Sequence, residues 1–131
     1  MWMLDTDTIS YILRNRPAAI RARFETLDLQ QIAVSSIVLA ELFYGAARSH
    51  DPAAIRRQID LLTRPLARLP WDESAAEHFA DIRLRLERRG SPLAAQDLMI
   101  AAHARSLDAV LVTNNQKHFR RIPGLRLENW V

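Results

Sequence analysis

The chain has 131 residues, 49% of them hydrophobic and 25% charged, with a net charge of +3 and no cysteine. That size and balance suit one ordinary globular domain over residues 1–131, with a core that needs no staples. The missing cysteine excludes disulfides, thiolate metal sites and cysteine nucleophiles, and it fits a reducing cytoplasm.

The N-terminus, Met1–Trp2–Met3–Leu4–Asp5, has no basic segment and meets an acid at once, unlike a signal peptide. Trp2–Met3–Leu4 reads as a short buried strand that ends at Asp5. Asp7 or Thr8 is then expected to cap a helix carrying Ile9, Tyr11, Ile12 and Leu13. Pro17 suits the first turn of a second helix, from Ala18 to about Leu27. Gln31 to Ser35 is a second strand, and Ser35 or Ser36 caps a helix to about Arg48. That helix holds one of the longest apolar runs, Ile37–Val38–Leu39–Ala40, far short of the roughly 20 residues a membrane span needs. Pro52 opens another helix, with Ile55, Ile59 and Leu62 on one face.

Leu66 to Leu69 is a candidate strand. Asp72 to Arg89 is a long amphipathic helix with Ala75, Phe79, Ile82 and Leu86 at helical spacing, closed by Gly90. A helix follows from Ala95 to Ser106. Ala109–Val110–Leu111–Val112 is continuous and apolar, as in a parallel sheet. Leu125 to Leu127 adds a candidate edge strand after the Pro123–Gly124 turn. Strands alternating with helices predict an α/β domain with a central, mostly parallel twisted sheet of four to five short strands flanked by helices. Such sheets place their sites at the carboxyl ends of strands. Asp5 and Thr113–Asn114–Asn115 lie at such ends, and the helices with Glu41 and Asp97 can approach the same edge.

Three acids call for a chemical explanation. Glu41 sits in an apolar helix whose neighbours one turn away are Ile37, Val38, Tyr44 and Gly45, none of them basic. A carboxylate there pays desolvation with no local ion pair. Gly45 costs about 1 kcal/mol of helix propensity against alanine and leaves open space beside it. The competing explanation is a glutamate that snorkels to water or pairs with a distant arginine. Asp97 lies in the first turn of its helix, where the dipole favours an anion by ~0.3–1 kcal/mol, so structure alone explains it. Asp5 ends a buried strand, where an apolar residue or turn former is expected. Asp7 is readily explained as a helix cap. Carboxylates brought within about 4–6 Å resist joint ionisation, and a divalent cation resolves the conflict. Hard oxygen ligands select Mg²⁺ or Mn²⁺. Arginine forks match phosphate oxygens, and nearly all the positive charge is arginine, with Lys117 the single lysine. An RNA phosphodiester is the natural substrate for such a kit, although a solvated basic surface explains the charge equally well.

Five blocks in register resemble the PIN-domain family, and specifically its VapC toxins. They are Met3-Leu-Asp-Thr-Asp-Thr-Ile; Val34-Ser-Ser-Ile-Val-Leu-Ala-Glu-Leu-Phe-Tyr-Gly-Ala; Gln96-Asp-Leu-Met-Ile-Ala-Ala-His-Ala; Leu111-Val-Thr-Asn-Asn-Gln-Lys-His-Phe; and Ile122-Pro-Gly-Leu-Arg-Leu-Glu-Asn-Trp. The resemblance implies that Asp5, Glu41 and Asp97 are the catalytic acids that hold Mg²⁺, with Mn²⁺ as a substitute. Thr6 and Ser35 match small hydroxyl positions beside them, and Thr113 matches a residue that supports the site through hydrogen bonds. The family's fourth acidic position falls on Asn115, an amide without charge. Asp7 stands where many relatives have Asn and adds a carboxylate. These two departures leave one metal or two open. The implied reaction is endonucleolytic cleavage of structured RNA, notably tRNA, by metal-activated water. The implied partners are a second copy of the chain and a VapB-type antitoxin. The antitoxin groove lies along Ser36–Arg48 and Pro52–Arg64, with Phe43 or Tyr44 and Leu61 or Leu62 as anchors, although ordinary core roles explain these residues too.

Rival readings fare worse. Leu4-Asp-Thr-Asp-Thr mimics the Asp-x-Asp start of haloacid-dehalogenase-like phosphatases, but Glu128 is the only acid after Lys117. A response-regulator receiver needs a phosphoacceptor after a central strand, and Asp60 lies within an amphipathic helical pattern instead. A non-catalytic RNA- or partner-binding PIN domain is expected to lose its acids, whereas three are kept. No histidine pair has the i, i+4 spacing of a zinc helix. His50 and His78 are best read as structural or solvent-facing. So is His103, which points to a different helix face from Asp97. His118 is read the same way, although it or Lys117 could touch substrate, since both follow the Thr113 strand end.

Overall fold

The computed structural model describes residues 1–131. Strand β1 (Trp2–Leu4) leads into α1 (Thr6–Arg14) and α2 (Ala18–Glu25). A 3-10 turn at Leu29–Gln31 precedes β2 (Ile32–Ser35). Then come α3 (Ser36–Ala47), α4 (Pro52–Thr63), β3 (Ala67–Leu69), α5 (Glu73–Arg88), α6 (Ala95–Ser106), β4 (Val110–Val112), α7 (Gln116–Phe119) and β5 (Arg126–Glu128).

The five strands form one sheet in the order β3-β2-β1-β4-β5, and every pairing is parallel. The strands expected from the sequence are all present. The Leu66–Leu69 and Leu125–Leu127 segments become the two edge strands, each only three residues long. Short edges limit the unpaired backbone offered to other chains. The central strands are almost wholly buried: Met3, Leu4, Ile32, Ala33, Val34, Leu111 and Val112 are inaccessible to solvent. They join Ile9, Ile12, Ile20, Ile82 and Leu86 from the helices in one core of 28 residues.

Helix starts follow cap chemistry, with one correction. Asp5, not Asp7 or Thr8, caps α1: its Oδ1 accepts from Thr8 N–H at 2.8 Å. Asp7 lies inside the first turn and is exposed. Four consecutive residues, Asp5 to Thr8, all suit a cap. The end of β1 at Leu4 selects the first of them. Ser35, Asp51 and Asp72 cap α3, α4 and α5 in the same way. α2 ends at Glu25 rather than at about Leu27, and α7 lies in a stretch the sequence left unassigned. At four residues, α7 is too short to show helical periodicity.

The topology fixes where a site forms. The chain lays β2 and β3 to one side of β1, then crosses to place β4 on its other side. The order therefore reverses between β1 and β4, and a crevice opens outside their carboxyl ends. Asp5 and Thr113 follow directly after those two strands.

Candidate metal centre at the sheet switch point

The strand register gathers the polar residues. Met3 is paired with Ala33 on one side and with Leu111 on the other. Two residues further along, the same register sets Asp5 level with Ser35 and Thr113. All three are buried, at 7%, 0% and 0% exposure. Asp5 N–H continues the ladder by donating to the Val112 carbonyl at 3.1 Å, and the Thr8 hydroxyl donates to the same carbonyl. The start of α1 is thus pinned to the end of β4.

Burial pushes the Asp5 carboxyl above the usual aspartate range; hydrogen bonds from Thr113 and Thr8 oppose this, and the charge of Asp7 adds to it. The Thr113 hydroxyl oxygen accepts from Asn115 N–H at 3.0 Å, which leaves its hydrogen free for Asp5. Asp97, in the first turn of α6, is also raised by burial, is lowered by the nearby charge of His118 and is raised by Asp7. Asp7 therefore lies close enough to act on both acids. Glu41, half-buried on α3, accepts from the Thr6 hydroxyl at 2.7 Å. Through Thr6 it is tied to the residue following Asp5. One open hollow is lined by Thr6, Glu41, Tyr44, Gly45, Arg48 and Gln96, the neighbour of Asp97. A Cβ built on Gly45 would meet nothing within 4 Å, so the space beside Glu41 is open, as expected.

The chain carries 17 arginines, yet none of its ion pairs involves Asp5, Asp7, Glu41 or Asp97. Buried or partly buried carboxylates outside any ion pair are what a hard divalent cation neutralises. In the rotamers adopted, no three acidic or histidine side chains close around one point. Asp5 accepts from Thr8 N–H and from Thr113, and Glu41 accepts from Thr6. Carboxylate oxygens carry about four lone-pair sites between them, so acceptor capacity remains, and Mg²⁺ usually retains several waters rather than an all-protein cage. The donor set fits such an ion, with water completing its shell.

The remaining positions separate clearly. Ser35 Oγ accepts from Ile37 N–H at 3.1 Å and meets His103 Nδ1 at 2.8 Å. The Ser35 hydroxyl and Nδ1 thus share one buried hydrogen bond. Burial lowers the His103 pKa, with Asp72 opposing, so the ring is held neutral. Nothing in the sequence signalled this bond, which spans 68 positions. Asn115 is exposed and its side chain caps nothing. Phe43 is not an exposed anchor: it is half-buried against the core, with the Arg56 guanidinium 3.6 Å above its ring. Leu62 is also partly buried against the core, whereas Tyr44 and Leu61 are 66% and 73% exposed. Lys117 is exposed.

The sequence model of the PIN domain matches residues 2–125. The chain is 43% identical over 129 residues to the tRNA(fMet)-specific endonuclease VapC of Salmonella typhimurium, covering 98% of this chain and 97% of that one. The crystal structure of DNA-bound VapBC from Salmonella typhimurium superposes with a TM-score of 0.93 at 42% identity, covering 99% of this chain and 98% of the other. VapBC2 from Rickettsia felis, bound to a DNA fragment from its promoter, gives 0.92 at 37% identity with the same coverage. With its parallel sheet, its acids at the switch point and these relatives along nearly its full length, the chain belongs to the PIN-domain family, in its VapC branch.

Proposed function

We propose that the protein is a metal-dependent endoribonuclease toxin that cleaves structured RNA, with tRNA as the substrate class. The observation that carries this reading is the buried Asp5 at the end of β1, at the sheet switch point of an arginine-rich chain, with neither it nor Asp7, Glu41 or Asp97 held in an ion pair. The name of the Salmonella relative supports tRNA as substrate. Asp5, Asp97 and Glu41 are the residues to hold Mg²⁺ or Mn²⁺. Such an ion supplies a Lewis acid, an activated water and a counter-charge for the leaving oxygen. Thr113 orients Asp5, Thr6 orients Glu41, and the Ser35 cap fixes the start of the helix that carries Glu41. Asp7 adds negative charge beside Asp5 and Asp97, and uncharged Asn115 positions solvent or substrate at the rim. Lys117 and His118 lie where they would meet a phosphate.

The relatives' VapBC complexes support an antitoxin as partner. In place of the groove expected along α3 and α4, the seat we assign to it lies between α1, α2 and α4, where Leu13, Arg21, Gln58, Leu61 and Leu62 line an open groove. Pairing of two copies of the chain belongs to the same reading.

The test is incubation of partner-free protein with total tRNA, with Mg²⁺ or Mn²⁺ and with EDTA, followed by mapping of fragment ends. Discrete cuts that vanish in EDTA are expected. Intact RNA bound by the protein in Mn²⁺ would favour a non-catalytic binding domain instead.

A further inference from the structure

We propose that Tyr44, Arg48 and Gln96 form a base-binding subsite beside Glu41, which takes one unpaired nucleotide of the RNA next to the cleaved bond. The inference deepens the nuclease reading and rests on it.

All three residues line the hollow that also holds Thr6 and Glu41. Tyr44 follows Glu41 by one turn of α3 yet is 66% exposed, unlike the buried Leu42 beside it. The contact given for its ring is the Arg48 guanidinium, 5.5 Å from the ring centre. At 66% exposure, ring surface is left open to a base. Arg48 pairs with no carboxylate, so its charge is free for a phosphate. Gly45 lines the hollow, and the space beside its Cα is open. Gln96 is exposed at the start of α6, directly before Asp97. Its amide offers both a donor and an acceptor to a base edge.

These are the parts of a single-strand site: an aromatic platform, a cation for the backbone and one polar reader. A duplex keeps its bases stacked and cannot use the ring, so the occupant is an unpaired loop nucleotide. The alternative occupant, an antitoxin side chain, would leave Arg48 without an anion unless the partner supplied a carboxylate.

The test is fluorescence anisotropy with a labelled single-stranded oligoribonucleotide in EDTA, which reads binding without cleavage. A metal-dependent cleavage assay on tRNA runs beside it. Tyr44→Ala is expected to weaken binding about tenfold or more, while Tyr44→Phe stays within about twofold, since stacking needs only the ring. Arg48→Gln is expected to reduce the salt slope of binding by about 0.7, one phosphate contact on a single strand. Gln96→Ala is expected to flatten the preference among the four homopolymers. The inference is overturned if Tyr44→Ala binds RNA like wild type, whether or not it loses a co-expressed antitoxin. If that happens while wild type still cleaves tRNA, only the subsite is lost. If wild type neither binds nor cleaves RNA, the nuclease reading falls and the subsite with it.

Discussion

Asp5 carries two tasks, and substitution separates them. As the cap of α1 it needs an oxygen facing Thr8 N–H, and asparagine supplies one nearly as well as aspartate. As a proposed metal ligand it needs a charge, which asparagine lacks. Asp5→Asn is therefore expected to fold normally, by circular dichroism, and to lose cleavage by more than about 100-fold, beyond the cost of losing a merely supporting group. Asp97→Asn is expected to do the same, and a retained rate in either variant would remove that residue from the site. The raised pKa values of Asp5 and Asp97 add a stability prediction. At these positions the folded chain binds protons more tightly than the unfolded chain. Stability therefore falls as pH rises from the unfolded value of 3.8 through the raised folded values, and the deficit persists above them. In EDTA at pH 7, Asp97→Asn is expected to melt no lower than wild type, with its advantage shrinking towards pH 4. A lower melting temperature at pH 7 would show that a protein partner stabilises the carboxylate.

At the scale of elements, caps and strand ends do most of the positioning. Ser35 closes β2, caps α3 and hydrogen-bonds the buried His103 of α6. One hydroxyl thus joins the helix of Glu41 to the helix of Asp97. Ser35→Ala is expected to cost about 2 kcal/mol in urea unfolding. A lost cap costs roughly 1 kcal/mol and an unsatisfied buried imidazole roughly 1–3 kcal/mol more, with incomplete additivity. A loss under about 0.5 kcal/mol would mean that another group replaces the hydroxyl. Much of this level is legible in sequence. The span Ala95–Ser106 is the helix observed, and the proline and serine starts of α4 and α3 hold. The start of α1 was misplaced because Asp5-Thr-Asp-Thr offers four competent caps and local chemistry does not rank them. Of the two roles open to Phe43, the core role is the one observed, with Arg56 and Arg68 covering its ring.

For the whole molecule, the order in which strands join the sheet sets where scattered acids can meet. Asp5, Glu41 and Asp97 are separated by 36 and 56 positions, so no local pattern links them. The chain's crossing from β3 to β4 opens the crevice where the first and last of them act on a common neighbour, Asp7. Apolar continuity in β4 and alternation of elements made the parallel sheet legible. Strand order and the Ser35–His103 bond depend on tertiary packing and left no local trace. Since no ion pair neutralises the acids, metal and folding are expected to be coupled. At about 100 times its Kd, Mn²⁺ should stabilise the folded chain by about 2.7 kcal/mol. The gain is expected to be absent when Asp5 and Asp97 are both asparagine, and an equal shift in that double variant would place the ion elsewhere.

The central claim is that side-chain oxygens from β1, α3 and α6 share one divalent ion. Anomalous scattering from a crystal soaked in Mn²⁺ tests it most directly. The account predicts a single strong peak about 2.1 Å from carboxylate oxygens of Asp5 and Asp97, with Glu41 in direct or water-bridged contact. A well-ordered peak remote from the β1–β4 crevice, or no peak at saturating Mn²⁺, would contradict it.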